Sequence, residues 1–184
     1  MDQSLSGWLL TMGGSATAAG WILFAIFDPE HERTDSSGWM GFNFSIVLGG
    51  LLMALGLIGL YPEGPAWASA AFLVFIVGLV LSHLAVHSVE TAHGDRRVMR
   101  WLVWIAAPSL FMGGLAFSIH LLLASPLPSW AGLVLLAGFI AGAAATLLDV
   151  PPRWARGWVA ATLPLAIAAI GLYLVVNGDV AIRG

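Results

Sequence analysis

The residues best suited to chemistry lie in one stretch, LSHLAVHSVETAHGDRRVMR, which covers residues 81–100. It contains His83, His87 and His93 together with Glu90. On a helix that turns by about 100° per residue, these four side chains share an arc of about 120°. Two imidazoles and a carboxylate are ligands typical of zinc and non-haem iron sites. The spacing of His87, Glu90 and His93 therefore predicts a metal site at the end of this helix.

The same residues also have an interpretation that needs no metal. Gly94 is typical of the position just after a helix, and a cationic His93 in the last turn would interact favourably with the helix macrodipole. Glu90 could pair with Arg96 or Arg97, an exposed contact that contributes about 0 to 1 kcal/mol. The chain contains no HExxH motif. The sequence leaves both interpretations open.

His83 and His87 lie deeper in the apolar run than His93 does, and they are the predicted cofactor-binding residues. Ionisable groups at such depth need a partner or a wet cavity. Each suits a neutral imidazole bonded to a neighbouring helix, a haem ligand or a hydrogen-bonding group for a quinone. His120 cannot be the second ligand of a haem on His83, because the predicted spans separate them by about 15 to 20 Å. We expect His120 to make a local polar contact with Ser118.

The composition defines the elements that must position these residues. Hydrophobic residues make up 59% of the 184 residues and charged residues 9%, and the mean hydropathy is +0.91. A water-soluble domain could not bury so much apolar surface in one core. The chain is therefore predicted to be an integral membrane protein, with the lipid bilayer as its main partner.

The chain contains six apolar runs of the roughly 20 residues that a spanning helix requires. These runs predict an all-α protein with a single six-helix transmembrane domain over residues 1–184. The first run is preceded by an acid and no base, which favours a retained helix over a cleaved signal peptide. The predicted spans are 6–27, 42–61, 67–90, 101–125, 130–149 and 157–177.

Arginine placement predicts the orientation of these spans. Six of the seven arginines fall on one side of such a bundle, and Arg183 falls on the other. The positive-inside rule makes the arginine-rich side cytoplasmic, in the cell membrane, with both termini outside. The loop 28–41 lies on this same side, so Glu30, His31 or Glu32 could supply a further ligand of the metal site, and His31 is the one predicted.

Small residues and prolines predict how the helices pack. Ala16 with Gly20, and Gly138 with Gly142, have the four-residue spacing that lets helices approach closely in lipid. Pro108 and Pro164 lie inside the fourth and sixth spans, where a proline removes a helical hydrogen bond. Because Gly113 and Gly114 follow Pro108 closely, we expect the fourth helix to be the most irregular.

Several function classes are excluded by residues that the chain lacks. Cysteine is absent, which excludes disulfides, thiolate metal sites and cysteine nucleophiles. Lysine is absent, which excludes Schiff-base chemistry. No acid lies deep in a predicted span, in contrast to proton pumps and many ion-coupled carriers. The chain also lacks GxSxG and glycine-rich phosphate motifs, and its charge suggests no nucleic-acid partner.

With six spans in about 180 residues, the chain resembles in size the substrate-binding membrane components of vitamin transporters. Those proteins have a small-residue motif in the first helix, where this chain has ATAAGWILFA over residues 16–25. No residue role is carried over from this resemblance.

Three functional hypotheses follow from the sequence. The first and favoured one is a non-catalytic subunit or anchor that packs against other membrane subunits or against itself. The second is a metal- or redox-linked protein that uses the histidine stretch, with a metal ion or haem as cofactor. The third is a small carrier for a neutral or apolar solute, with the irregular fourth and sixth helices lining its path. These hypotheses leave enzymatic activity open, and the sequence as a whole favours a non-enzymatic role.

Overall fold

The computed structural model describes residues 2–27, 37–61, 65–90, 104–124, 127–147 and 153–177. Within 37–40, 85–90, 143–147 and 153–156 it describes the backbone alone. Every regular element in these ranges is helical, which confirms the all-α prediction. The helices are α1 Gln3–Phe27, α2 Ser37–Ile58, α3 Ala66–Glu90, α4 Trp104–Ala124, α5 Ser129–Leu147 and α6 Arg153–Asn177.

Five of these helices are long and apolar enough to cross a membrane: α1, α2, α3, α4 and α6. In α5, the apolar part whose side chains are described, Ser129–Gly142, is shorter than the other five. Membrane-spanning helices are thus supported by length and composition, and the sixth crossing stays a prediction. The first helix begins earlier than predicted, because the Asp2 carboxylate accepts a 3.1 Å hydrogen bond from the Ser4 amide and caps the first turn.

The helices form an up-and-down ring in chain order. Each described helix packs against the next one along the chain, and α6 returns to pack against α1. Gly7 lies beside Gly171, whereas Gly157 lies beside Trp21, so α1 and α6 run in opposite directions. We call the end of the ring where α1, α3 and α5 finish the arginine end, because six of the seven arginines lie there or in the adjoining connections.

Glycines on two faces of α1 allow its close contacts with both neighbours. A Cβ at Gly13 would lie 2.6 Å from the Met53 amide nitrogen and 2.7 Å from the Gly49 carbonyl oxygen, both on α2. On another face, a Cβ at Gly14 would lie 2.8 Å from the Ala168 amide nitrogen of α6. Only residues without a side chain allow backbones to approach so closely.

The predicted small-residue pairs take part in packing less uniformly than their spacing suggested. Gly20 faces α2, where its Cβ would lie 3.1 Å from the Phe42 carbonyl oxygen. Its partners on that face of α1 are Gly13 and Thr17 rather than the predicted Ala16, which is only partly buried. The spacing therefore identified the correct helix and one residue of its packing face.

The fourth helix is irregular where the sequence predicted it. Residues Ser109–Gly113 form a π-helical turn directly after Pro108. A proline has no amide hydrogen for the regular helical bond, and a π turn is one way in which a helix absorbs that loss. The widened turn packs against α3, where Gly78 and Gly113 leave room for the facing backbone.

An aromatic cluster fills the middle of the ring and the half away from the arginine end. The Phe72 and Phe117 ring centroids are 5.1 Å apart, and those of Phe75 and Phe139 are 5.5 Å apart in an edge-to-face arrangement. Each of the four side chains is at most 1% exposed. Outside the ring, large apolar side chains such as Trp104 and Leu123 are more than 70% exposed, as expected of a surface that lipid covers.

Candidate ligand-binding cavity

A cavity of about 440 Å³ lies between the helices. All six helices contribute to its wall, through Trp21, Met53, His83, Phe111, Phe139 and Pro164 among others. Pockets for small molecules have volumes of about 300 to 1,000 Å³, so this one has the size of a ligand site.

The cavity occupies the half of the ring toward the arginine end. Apart from the α2 residues and Ile167, its lining residues come from the second half of α1 and α3, from the middle of α5 onward and from the first half of α4 and α6. Trp21 lies beside Gly157, close to the start of α6, whereas Met53 and Phe139 belong to the buried core at mid-bundle. The cavity therefore extends from the region of the arginine end to the aromatic cluster.

The wall is mainly apolar, and its hydroxyl groups are already engaged. The Ser82 hydroxyl donates to the Gly78 carbonyl oxygen at 2.7 Å, and the Thr17 hydroxyl donates to the Ile46 carbonyl oxygen of α2 at 3.4 Å. Thr17 is completely buried. Its hydrogen bond joins α1 to α2. A solute in the cavity would meet few polar atoms whose hydrogen bonds are unmade.

His83 is the chief exception. Its side chain is 9% exposed and lines the cavity. The Nδ1 atom lies 2.7 Å from the Leu79 carbonyl oxygen, one turn earlier on α3. Because a carbonyl oxygen can only accept, Nδ1 carries the proton. The other ring nitrogen, Nε2, has no hydrogen bond to any part of the chain that the structure describes.

Gly50 of α2 holds the His83 ring in place from the other side. A Cβ at Gly50 would overlap Cγ and Cδ2 of this ring and would lie 2.6 Å from Nε2. The imidazole therefore packs against bare backbone. We expected a buried His83 to bond to a neighbouring helix; instead it bonds within α3, because the carbonyl one turn back is the nearest acceptor, and contacts the neighbour through van der Waals packing.

The irregular helix α4 and the proline-containing helix α6 both contribute to the wall. Leu110 and Phe111 lie in the π turn of α4. On α6, Ala160 and Pro164 line the cavity one turn apart. Pro164 has no amide hydrogen to give to the Ala160 carbonyl, which is its regular partner four residues back. The cavity thus borders the π turn of α4 and the proline of α6.

The predicted metal site stays a prediction. The backbone of His87 and Glu90 belongs to α3, but their side chains, like His93 and His31 altogether, lie outside the described residues. Among the residues that are described, no three His, Cys, Asp or Glu side chains cluster closely enough to hold a metal ion.

If these residues bind a metal ion, substitution of the histidines should remove it. The double variant His87→Ala, His93→Ala should lose the bound zinc or iron that the purified parent protein retains, because it removes both imidazole ligands. Elemental analysis by mass spectrometry measures this. A parent protein without either metal, or equal metal content in both proteins, would leave these residues as a helix end.

His120 does not make the contact expected of it. The Ser118 hydroxyl donates to the Gly114 carbonyl oxygen at 2.7 Å, a bond within its own helix that mid-helix serines commonly form. His120 packs instead against Trp67 at the start of α3, with ring centroids 5.6 Å apart. Because His83 lies sixteen residues beyond Trp67, about 24 Å along the same helix, the exclusion of a haem bound by both histidines agrees with the structure.

Sequence reasoning missed most of the cavity wall, including Thr17 and Met53, and it missed Gly50, which packs against the His83 ring. Thr17 carried a usable signal, because it is a polar residue between Gly13 and Gly20 at helical spacing. Gly50 and Met53 carried none that distinguishes them from their neighbours. No family model, curated protein or solved structure matches the chain.

Proposed function

We propose that this is a small multi-pass membrane carrier that takes up a neutral, largely apolar solute in its central cavity. The observation that supports the proposal most is the cavity itself, which has the volume of a ligand site and a wall drawn from all six helices. Its described wall carries no Asp, Glu, Lys or Arg side chain, which favours an uncharged solute.

The π turn of α4 and the proline of α6 favour a carrier over a rigid binding protein. In carriers, binding sites lie at mid-membrane beside interrupted helices, and movement of one group of helices opens the site to either side. Here the π turn of α4 and the proline of α6 both border the cavity. The aromatic cluster would close the site toward the end opposite the arginines.

The membrane arrangement belongs to this proposal. We propose that all six helices cross the cell membrane, that the arginine end faces the cytoplasm and that both termini lie outside. The support is the distribution of arginines and the up-and-down order of the helices.

The role of a subunit or anchor has less support from packing. It relied on small-residue faces available to other proteins, but Gly20 and Gly138 pack inside the ring, against Ile46 and Leu163. Association with other membrane subunits, or of the chain with itself, therefore stays a prediction to which the described surfaces add nothing.

The natural absence of cysteine makes the cavity directly testable. Ser82 and Ser118 each donate a 2.7 Å hydrogen bond to the carbonyl four residues back, but only Ser82 lines the cavity. In membrane vesicles, Ser82→Cys should react with N-ethylmaleimide at least about ten times faster than Ser118→Cys, because Ser118 is completely buried. Equal rates would contradict an accessible cavity.

A second substitution shows whether the reaction reports the cavity. A Cβ at Gly142 would lie 3.7 Å from Phe111, an ordinary contact, so Gly142→Leu should fill part of the cavity without a backbone clash. Combined with Ser82→Cys, it should slow the reaction about tenfold. Gly41→Leu is the matched control, because a Cβ at Gly41 meets nothing within 4 Å.

Transport itself is tested by sidedness. A carrier exposes its site to each face in turn, so the membrane-impermeant reagent 2-sulfonatoethyl methanethiosulfonate should label Ser82→Cys in both right-side-out and inverted vesicles. Labelling from one face alone would indicate a binding protein that does not transport.

A further inference from the structure

We propose that the solute carries a hydrogen-bond donor, a hydroxyl or an N–H, which it gives to Nε2 of His83, and that the rest of the molecule is apolar. This inference rests on the proposed function, because it requires a solute in the cavity. It specifies the class of that solute: an apolar alcohol, phenol or amine-type donor rather than a ketone, ether or ester.

The direction of the hydrogen bond follows from the geometry of His83. Nδ1 donates to the Leu79 carbonyl oxygen at 2.7 Å, which leaves Nε2 of the neutral ring with a lone pair. Gly50 packs against the ring at Cγ, Cδ2 and Nε2 and prevents the ring from moving toward α2, and its lack of a side chain leaves space beside Nε2. The ring is thus held in one tautomer, and that tautomer can only accept at Nε2.

The other deep polar atoms of the wall also present acceptors. The hydroxyl protons of Ser82 and Thr17 are used in bonds to Gly78 and Ile46, which leaves their oxygen lone pairs. On α6, the Ala160 carbonyl lacks the amide hydrogen that a residue other than Pro164 would supply. A solute with a donor can satisfy one of these groups, whereas a solute with acceptors alone cannot.

The cavity wall also contains a donor, the indole N–H of Trp21. Trp21 lies beside Gly157, near the start of α6. His83 lies beside Gly50, thirteen residues into α2, and therefore deeper. An acceptor on the solute could reach Trp21 near the arginine end, but the deep part of the cavity still requires a donor.

The cost of an unpaired acceptor sets the size of the expected effect. In an apolar cavity, an acceptor deprived of water and left without a partner is costly, so a solute that fails to satisfy Nε2 loses affinity. The loss from one such hydrogen bond corresponds to about a tenfold weaker affinity. The preference should therefore be measurable with a matched pair of ligands.

The test uses 2-naphthol and 2-methoxynaphthalene, which differ by the replacement of the donor hydrogen with a methyl group. Occupancy of the cavity is measured as slower reaction of Ser82→Cys with N-ethylmaleimide in the full chain in lipid nanodiscs. Probe concentrations are corrected for partition into empty nanodiscs. We expect 2-naphthol to protect the cysteine at about tenfold lower concentration than the ether.

Substitution of the acceptor shows whether His83 causes the preference. His83→Phe, which keeps a flat ring but has no acceptor, should bind the two probes equally. His83→Gln, which offers an amide oxygen, should retain part of the preference, and it serves as the informative variant if His83→Phe does not fold. His120→Phe is the matched control, because it removes a buried histidine outside the cavity.

The outcomes separate this inference from the proposed function. Equal protection by both probes in the parent protein would overturn the donor requirement and leave the solute-binding cavity intact. Failure of both probes to protect a reactive Ser82→Cys would overturn both. A haem absorbance band that His83→Phe abolishes would also overturn the inference, since Nε2 would then be an iron ligand.

Discussion

Gly14→Leu should prevent the chain from accumulating as folded protein. A Cβ at Gly14 would overlap the Pro164 carbonyl oxygen and lie 2.8 Å from the Ala168 amide nitrogen. These are backbone atoms of α6, which cannot turn aside as a flexible side chain can. We expect a loss of more than about 3 kcal/mol in the free energy of unfolding, beyond the usual cost of an overpacked core. Fluorescence-detected size-exclusion chromatography measures the folded yield.

A graded series makes this prediction specific to the contact between α1 and α6. Gly14→Ala should destabilise less than Gly14→Leu, because it adds only the Cβ. Gly41→Leu and Gly142→Leu should give folded yields close to that of the parent protein, since a Cβ at Gly41 meets nothing within 4 Å and one at Gly142 makes only an ordinary contact with Phe111. A Gly14→Leu variant that elutes like the parent would show that the two helices do not pack as described.

Phe139→Ala should cause the second largest loss, about 3 to 5 kcal/mol. The Phe139 ring is 1% exposed and lies 5.5 Å from the Phe75 ring and 6.4 Å from the Phe111 ring. Its removal would merge the cavity with new empty space in the core. The midpoint of thermal unfolding, followed by circular dichroism in detergent, should fall by about 6 °C or more.

The neighbouring residue supplies the control for this prediction. Ile140 follows Phe139 on α5 but is 57% exposed on the lipid-facing side. Ile140→Ala should therefore shift the midpoint much less than Phe139→Ala does. Equal shifts would contradict the direction in which α5 faces.

Gly114 offers a compensating substitution. A Cβ at Gly114 would overlap the Phe139 ring, so Gly114→Leu alone should destabilise the protein. In the background of Phe139→Ala, the same leucine would enter the vacated space and should recover part of the lost stability. Such non-additivity is expected only of residues in direct contact.

These expected effects reflect two parts of the ring with different packing. Along α1, bare backbones of α1, α2 and α6 meet at Gly13, Gly14 and Gly49, where no added atom fits. Around the cavity, a Cβ at Gly142 has room. A tightly packed seam beside a loosely packed cavity is an arrangement in which some helices can move while others stay in place.

Much of the fold was predictable because it depends on local rules. In lipid, each backbone must satisfy its own hydrogen bonds, so an apolar run of sufficient length becomes a helix wherever it occurs. The consequence of Pro108 was equally local, because the missing amide hydrogen affects its own turn. The observed π turn of Ser109–Gly113 confirms that expectation.

The sequence alone determined that the chain is helical, where its helices lie, which one is irregular and that His83 is buried. Only the tertiary structure decided which faces meet, that Gly50 lies against the imidazole and that Thr17 and Met53 border the same cavity as His83. The reason is the solvent. In water, an apolar stripe marks the buried side of a helix, but in lipid both the inward and the outward faces are apolar, and helix periodicity no longer distinguishes them.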